Sequence, residues 1–429
     1  MKELSFIQRI SSYILIIAFV AYTCFAFVEF SCFCLLSIKG LFRNLIQNSA
    51  NEQLYNLGLP NIYEPLGSPK DGAWAWSILM SSSPVYDGEV WADEYWKVEH
   101  ERYRNYLKEP LNIFQSNVIF REMPRNTKYV NVNQNGQRHT VNIYPAKYNM
   151  TKKVFMFGAS TMFGTGVPDE HTIPSILSQY LNNKSKNVFY EVSNFGTGAF
   201  ILEQDMILFL EEVKKGNLPD IAIFYHGVND SYAGIYSPGK PGRYLGSDQL
   251  EKKFTYNPNR DTGLNNLNFI KLISMIKFKF TTQDISKKPY QDKDYKTRAK
   301  ELIKYYKATI EIIRHICDKH QIVPYFIWQP TLTYGNKTLN KFEKALIENP
   351  ALLSIGSFNK QDGISQTKVL NMTYQMIEEN SFQGMNFYNL SHIFDLISDP
   401  TYVDFVHLGR RGNEIIAEKL LQIIKNQAM

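Results

Sequence analysis

From Lys153 to the end of the chain, short apolar runs alternate with longer amphipathic stretches, and this alternation limits the fold more than any other feature. The runs at 154–157, 188–192, 221–225, 322–328 and 386–390 are too short for helices and read as strands. Between and after them, 173–181, 202–215, 298–319, 368–379 and 411–424 carry apolar residues at helical spacing. Strands that recur with a helix between them return to the same end of a sheet, so the pattern predicts a five-stranded parallel sheet with helices on both faces. Ligands bind such sheets at the carboxyl ends of the strands.

The chain ahead of this region divides in two. No charged residue occurs from Ile10 to Val28, and Arg9 and Lys39 bracket a stretch that continues apolar after Glu29 to Ile38. About 20 such residues cross a bilayer as a helix. The run is too long for a cleaved signal peptide, no small-x-small site follows it, and Cys24 lacks the small neighbours of a lipoprotein site. Residues 1–44 therefore read as a short tail and a single transmembrane anchor. Lys2 and Arg9 on one side and Lys39 and Arg43 on the other barely fix its direction. A short tail before one span with a large domain after it places that domain outside the cytoplasm.

Residues 45–150 form an aromatic-rich extension. Trp74, Trp76, Trp91 and Trp96 lie here with Tyr95, Tyr103 and Tyr106, and Trp328 is the only tryptophan elsewhere. The set suits either a sugar-stacking platform or a small aromatic core that holds the extension on the main domain. A helix is expected near 99–107. A hairpin is expected over 129–140, where Asn135-Gly136 supplies a turn. Residues 151–429 form the main domain, with an insertion at 232–295 rich in Pro, Gly, Lys and Asn. Within it 269–280 reads as a helix packed on the domain or lying on a membrane.

A net charge of +6 with no basic–aromatic motif gives no reason to expect nucleic acid. Cys24, Cys32 and Cys34 lie in the apolar stretch, and Cys317 alone falls in the main domain, so no disulfide is available there. No metal or cofactor is implied: there is no His-Glu-x-x-His and no Walker loop, and His315 and His320 do not share a helix face.

Chemistry concentrates at the expected strand ends. Gly158-Ala159-Ser160 follows the first strand, and a serine in a glycine-rich turn exposes its hydroxyl as a nucleophile can. As a plain helix cap it would carry no chemistry. Asn194-Phe195-Gly196-Thr197-Gly198 follows the second strand and Gly227-Val228-Asn229 the third. Near the end, Asp404 stands three residues before His407, a spacing that lets a carboxylate hold one imidazole nitrogen and leave the other as a base.

These four blocks, in this order over residues 153–425, resemble the SGNH (GDSL-like) hydrolase family. The resemblance implies a flavodoxin-like three-layer α/β/α sandwich. It also implies Ser160 as nucleophile, His407 as general base and Asp404 as its orienting partner. The oxyanion hole would come from the Ser160 amide, Gly196 and the Asn229 side chain, with Gly198 an alternative to Gly196. Fixed donors aimed at the developing oxyanion are what acyl transfer needs. Ala159 departs from the family's Gly-Asp-Ser at a position outside its catalytic four. Met162 breaks the α/β-hydrolase pattern Gly-x-Ser-x-Gly. His226 and Asp230 flank Asn229 and read as structural support. The expected function is a membrane-anchored serine esterase that hydrolyses or transfers an acyl group, acetyl among the candidates, on an envelope glycan or lipid. The alternatives are a catalytically silent glycan-binding or envelope-assembly protein on the same fold, or a lipase.

Overall fold

The computed structural model describes residues 22–31, 72–105, 111–145, 147–236, 292–348 and 363–427. The chain falls into two compact units, 1–53 with 248–291 and 54–247 with 292–429. In the first, residues 22–31 are helical and expose Tyr22, Phe25, Phe27 and Phe30. The rest of the expected anchor, residues 237–291 of the expected insertion, and the side chains of Trp74 and Tyr106 lie outside the described residues. Among the described residues no helix is long and apolar enough to cross a membrane.

The second unit is an α/β sandwich. Two short antiparallel pairs come first: β1 (Asn112–Gln115) with β2 (Ile119–Glu122), and β3 (Arg125–Asn126) with β4 (Asn131–Val132). The central sheet contains β5 (Met150–Gly158), β6 (Val188–Asn194), β7 (Ile221–His226), β8 (Val323–Trp328) and β9 (Phe387–Asn389). Its spatial order is β6-β5-β7-β8-β9 and every neighbouring pair is parallel. The chain runs outward from β5 to β6, then crosses to the other side of β5 for β7. The direction of winding thus reverses at β5, and sheets wound this way bind ligands outside the carboxyl ends of the strands at that point.

Ten helices accompany the strands among the described residues of this unit: α1 (Gly72–Ser81), α2 (Ala92–Asn105), α3 (Ser160–Phe163), α4 (Ile173–Lys184), α5 (Leu202–Lys214), α6 (Val228–Tyr236), α7 (Asp292–His320), α8 (Lys341–Glu348), α9 (Gly363–Glu379) and α10 (Arg410–Gln427). Strand side chains alternate between faces, as a two-residue period demands. Val154, Met156, Ile223 and Ile327 pack with Leu177 of α4 and Ile416 and Leu420 of α10. Phe155, Phe157, Phe224 and Phe326 pack on the other face with Phe209 of α5, Ile310 of α7 and Leu370 of α9. Each such side chain contributes about 1.5–3 kcal/mol on burial.

Among the described residues, the aromatic set of the extension forms a core. Trp91, Trp96, Tyr95 and Tyr129 are buried together with Phe163, Val167 and Val403 of the sandwich. Their hydroxyls also serve as brackets: Tyr86 donates to the Gly166 carbonyl at 2.8 Å, and Tyr95 accepts from the Gly166 N–H at 3.2 Å. The hairpin turn falls at 133–137, where Asn133 and Gln137 pair across Gly136 at φ 72°. Helices α6 and α7 reach into the expected insertion from both ends, to Tyr236 and from Asp292.

Candidate active site

Ser160 stands where β5 ends. Ala159 is still extended, and the single turn α3 starts at the serine. Gly164 closes that turn in the left-handed region at φ 89°, its N–H on the Ser160 carbonyl. A side chain on Gly158 would meet Met162 Cβ and the Tyr225 carbonyl at 2.7 Å, so only glycine lets strand and turn pack this closely. The first N–H groups of α3 have no partner within the turn.

The loop before α10 reaches this point from the far end of the chain. Tyr402 bridges Leu408, and the Val403 N–H donates to the His407 carbonyl at 2.9 Å, which makes 403–407 a tight turn. Asp404 caps it: Oδ1 accepts from the N–H groups of Val406 at 2.8 Å and His407 at 2.7 Å. Its Oδ2 lies 2.7 Å from His407 Nδ1, and His407 Nε2 lies 2.7 Å from Ser160 Oγ.

Asp404 is 2 % exposed and His407 6 %. Burial alone would push the Asp404 carboxyl up. The facing His407 and the hydrogen bonds from the His407 and Val406 backbone outweigh it and hold the carboxyl below its ordinary value. An ionised carboxylate only accepts, so Nδ1 carries the ring proton and Nε2 presents its lone pair to the Ser160 hydroxyl. Serine, imidazole and carboxylate thus form one hydrogen-bonded chain at the carboxyl edge of the sheet.

The other expected residues sit on the same edge with their donors engaged. The Gly196 N–H donates to Asn194 Oδ1 at 2.9 Å, and the Gly198 N–H to Glu122 Oε1 at 2.9 Å. Asn229 Nδ2 donates to the Phe200 carbonyl at 3.0 Å. The loop between them turns through Ala199, a non-glycine residue at φ 63°, as the Phe200 N–H closes on the Thr197 carbonyl at 3.2 Å.

His226 is fully buried, with Nε2 2.7 Å from Asp205 and Nδ1 3.5 Å from Asp230. Burial lowers its affinity for a proton, but the two carboxylates win and push it up to about 10. Both ring nitrogens face these carboxylates and neither faces Ser160, so His226 pins the end of β7. Asp230 completes the bracket by accepting from the N–H groups of Leu202 and Gly227 at 3.0 and 3.2 Å.

Four side chains of the extension make contacts that were not expected. Arg138, fully buried, donates to Asp169 at 2.8 Å and to the carbonyls of Phe163, Gly164 and Val167 at 2.9, 2.6 and 2.7 Å, which fixes the end of the serine turn. Arg121 donates to the Phe195 carbonyl at 3.1 Å, beside the Glu122 contact with Gly198. Trp76 donates its indole N–H to Asp404 Oδ2 at 2.9 Å. Trp76 and Asp404 are 328 positions apart, and no local sequence signal joins them. Among the described residues no group of three or more His, Cys, Asp or Glu is placed to hold a metal ion.

No family model and no curated protein matches the chain. Several solved structures resemble it distantly. The acetyl xylan esterase AlAXEase is 16 % identical over 63 % of this chain and 98 % of its own, with a TM-score of 0.33. A lipase from a goat rumen metagenome is 13 % identical over 63 % of this chain and 97 % of its own, with a TM-score of 0.32. An acetylxylan esterase from Geobacillus stearothermophilus is 14 % identical over 64 % of this chain and 94 % of its own, with a TM-score of 0.28. Likenesses this remote carry no argument about what the chain does.

Proposed function

We propose that the chain is a membrane-anchored serine esterase of the SGNH type, which removes or transfers an acyl group through an acyl-serine intermediate. One observation carries the reading: the unbroken chain from Ser160 Oγ through His407 to Asp404, each link 2.7 Å. The strand order, which with β5 taken as first reads 2-1-3-4-5, is that of flavodoxin-like sheets and supports placing the site at the carboxyl end of β5.

Ser160 Oγ attacks the ester carbonyl carbon as its proton passes to His407 Nε2. The Asp404 carboxylate holds the imidazolium that forms. The Ser160 amide and the Asn229 side chain are the proposed donors to the oxyanion, joined by the Gly196 amide when it turns from Asn194. His407 then returns the proton to the leaving alkoxide, and the carbonyl re-forms as an acyl-serine. Water gives hydrolysis, and a sugar hydroxyl gives transfer: either loses its proton to Nε2, attacks the acyl carbon, and releases Ser160 reprotonated. The substrate is an acylated envelope glycan or lipid. The charge-free run from Ile10 to Val28 supports the membrane anchor, with the catalytic unit outside the cytoplasm.

The test is turnover of p-nitrophenyl acetate by the full chain beside Ser160→Ala and His407→Ala. Each variant is expected to lose roughly 10³-fold or more. Folded parent protein without turnover, or a Ser160→Ala variant that keeps it, would overturn the assignment.

A further inference from the structure

The Trp76 indole meets the acid–base pair in two ways. Its N–H donates to Asp404 Oδ2, the oxygen already engaged by His407 Nδ1. Its ring also stands edge-on to the His407 imidazole, centroids 5.3 Å apart at 64°. With the two backbone N–H groups on Oδ1, the carboxylate receives four donors in a nearly dry site. The indole is itself fixed. Tyr103 packs edge-on to it at 5.7 Å, and the next residue, Ser77, bonds His100 Nδ1 at 2.9 Å and ties α1 to α2.

We propose that Trp76 is a positioning residue that sets the basicity and the ring plane of His407 through Asp404, so that the extension supplies a working part of the esterase site. The proposal rests on the serine esterase reading. An oxygen that shares its negative charge between two donors stabilises an imidazolium less than one facing the imidazole alone. Removal of the indole N–H therefore makes His407 more basic. The base is then protonated, and lost, at a higher pH. Among the described residues, the ionisable groups around the pair include two phenols, Tyr86, which senses the Asp404 charge, and Tyr103 behind Trp76, and also His100 on Ser77, which burial holds below its ordinary value. Burial raises both phenols, so they stay neutral across the range of the test.

The test uses the full chain with Trp76→Phe, which keeps a ring but not the donor. Trp91→Phe is the control, because Trp91 belongs to the same aromatic core and donates to Glu89 at 2.7 Å, away from the pair. The pH profile of kcat/KM is read together with the His407 imidazole titration by histidine-selective NMR, assigned with His407→Gln. Trp76→Phe is expected to move the acid limb and the titration up by roughly half a unit to one unit and to lower the plateau roughly tenfold. Trp91→Phe should move neither. Unmoved profiles in both variants, whatever their stability, would overturn the proposal. A moved titration in a chain without esterase activity would sink the esterase reading and leave the positioning role intact. Should the Phe variant not fold, the Trp76 indole N–H resonance of the unmutated chain decides. It should follow the titration of His407, and indifference to it would refute the role.

Discussion

Gly196→Ala probes how tightly the loop after β6 presses on the serine turn. A Cβ at this position would lie 2.3 Å from the Phe163 nitrogen, 2.7 Å from the Met162 carbonyl carbon and 2.8 Å from Phe163 Cα. All three are backbone atoms of α3 and cannot rotate away. To reach ordinary van der Waals contact the two segments must separate by about 1 Å. The serine turn has few ways to yield, because Arg138 holds its far end and Gly158 its near end. The displacement therefore falls on the 2.7 Å contact between Ser160 and His407, where a shift of about 1 Å costs up to roughly 10²-fold in rate. Overpacking of this kind also costs about 1–3 kcal/mol of stability. Gly198→Ala is the internal comparison, since its Cβ would meet only the Glu122 carboxylate oxygen at 3.0 Å, the movable end of a side chain. Ester turnover and thermal melting of both variants make the assay. The expected result is a large loss of kcat/KM in Gly196→Ala and a small one in Gly198→Ala. A Gly196→Ala protein with parental melting and more than half its activity would refute the packing argument.

Two further substitutions test the supports around the site. Arg138→Lys leaves one ammonium where a planar fork served Asp169 and three carbonyls, and it should lower stability by about 3–5 kcal/mol, read by denaturant unfolding. A loss under about 1 kcal/mol would contradict the role given to that fork. Glu203→Gln tests a buried carboxyl that burial first, and the Asp230 charge second, push up to about 7. The folded state keeps a proton that the unfolded chain gives up. Its contribution is therefore complete below the ordinary carboxylate range and is lost as pH rises through 7. A neutral amide has no such loss. Between pH 5 and 8 the parent should lose more stability than the variant, by up to roughly 3 kcal/mol, and parallel melting curves would contradict this.

The central strands were legible because burial on both faces demands unbroken apolar runs, and Phe155, Phe224 and Phe326 satisfy one face while Met156, Ile223 and Ile327 satisfy the other. The meeting of Ser160 with the 194–198 and 227–229 segments was legible for a topological reason, since parallel strands bring their carboxyl ends to one edge however far apart they are in sequence, whereas Asp404 and His407, in the loop before α10, were matched to Ser160 through the family resemblance. The extension was harder to read. Helix α2 begins at Ala92, seven residues before the expected start, because its buried face includes the charged Glu99, which Arg125 satisfies at 2.7 Å. A hydrophobic pattern does not register such a position. Helix α1 is apolar, with little helical periodicity to mark it. The β1–β2 hairpin turns through Ile119 at φ 77°, where sequence rules expect glycine.

Contacts made by Trp76, Arg121, Glu122 and Arg138 escaped the sequence for a related reason. Each joins the extension to a loop of the sandwich across a long stretch of chain, and each partner is a backbone group or a carboxylate that leaves no local signature. Together they tie residues on both sides of position 150 into the candidate site. The turn that carries Ser160, the loop that carries Gly196 and the carboxylate that orients His407 are each held from the extension.

The most direct test of the serine mechanism is reaction of the full chain with a fluorophosphonate, followed by intact mass and peptide mapping. A nucleophile activated by His407 should take one phosphonyl group at Ser160. Ser160→Ala should take none, and His407→Ala should react far more slowly. A folded chain that stays unlabelled, or carries the label on another residue, would contradict the account.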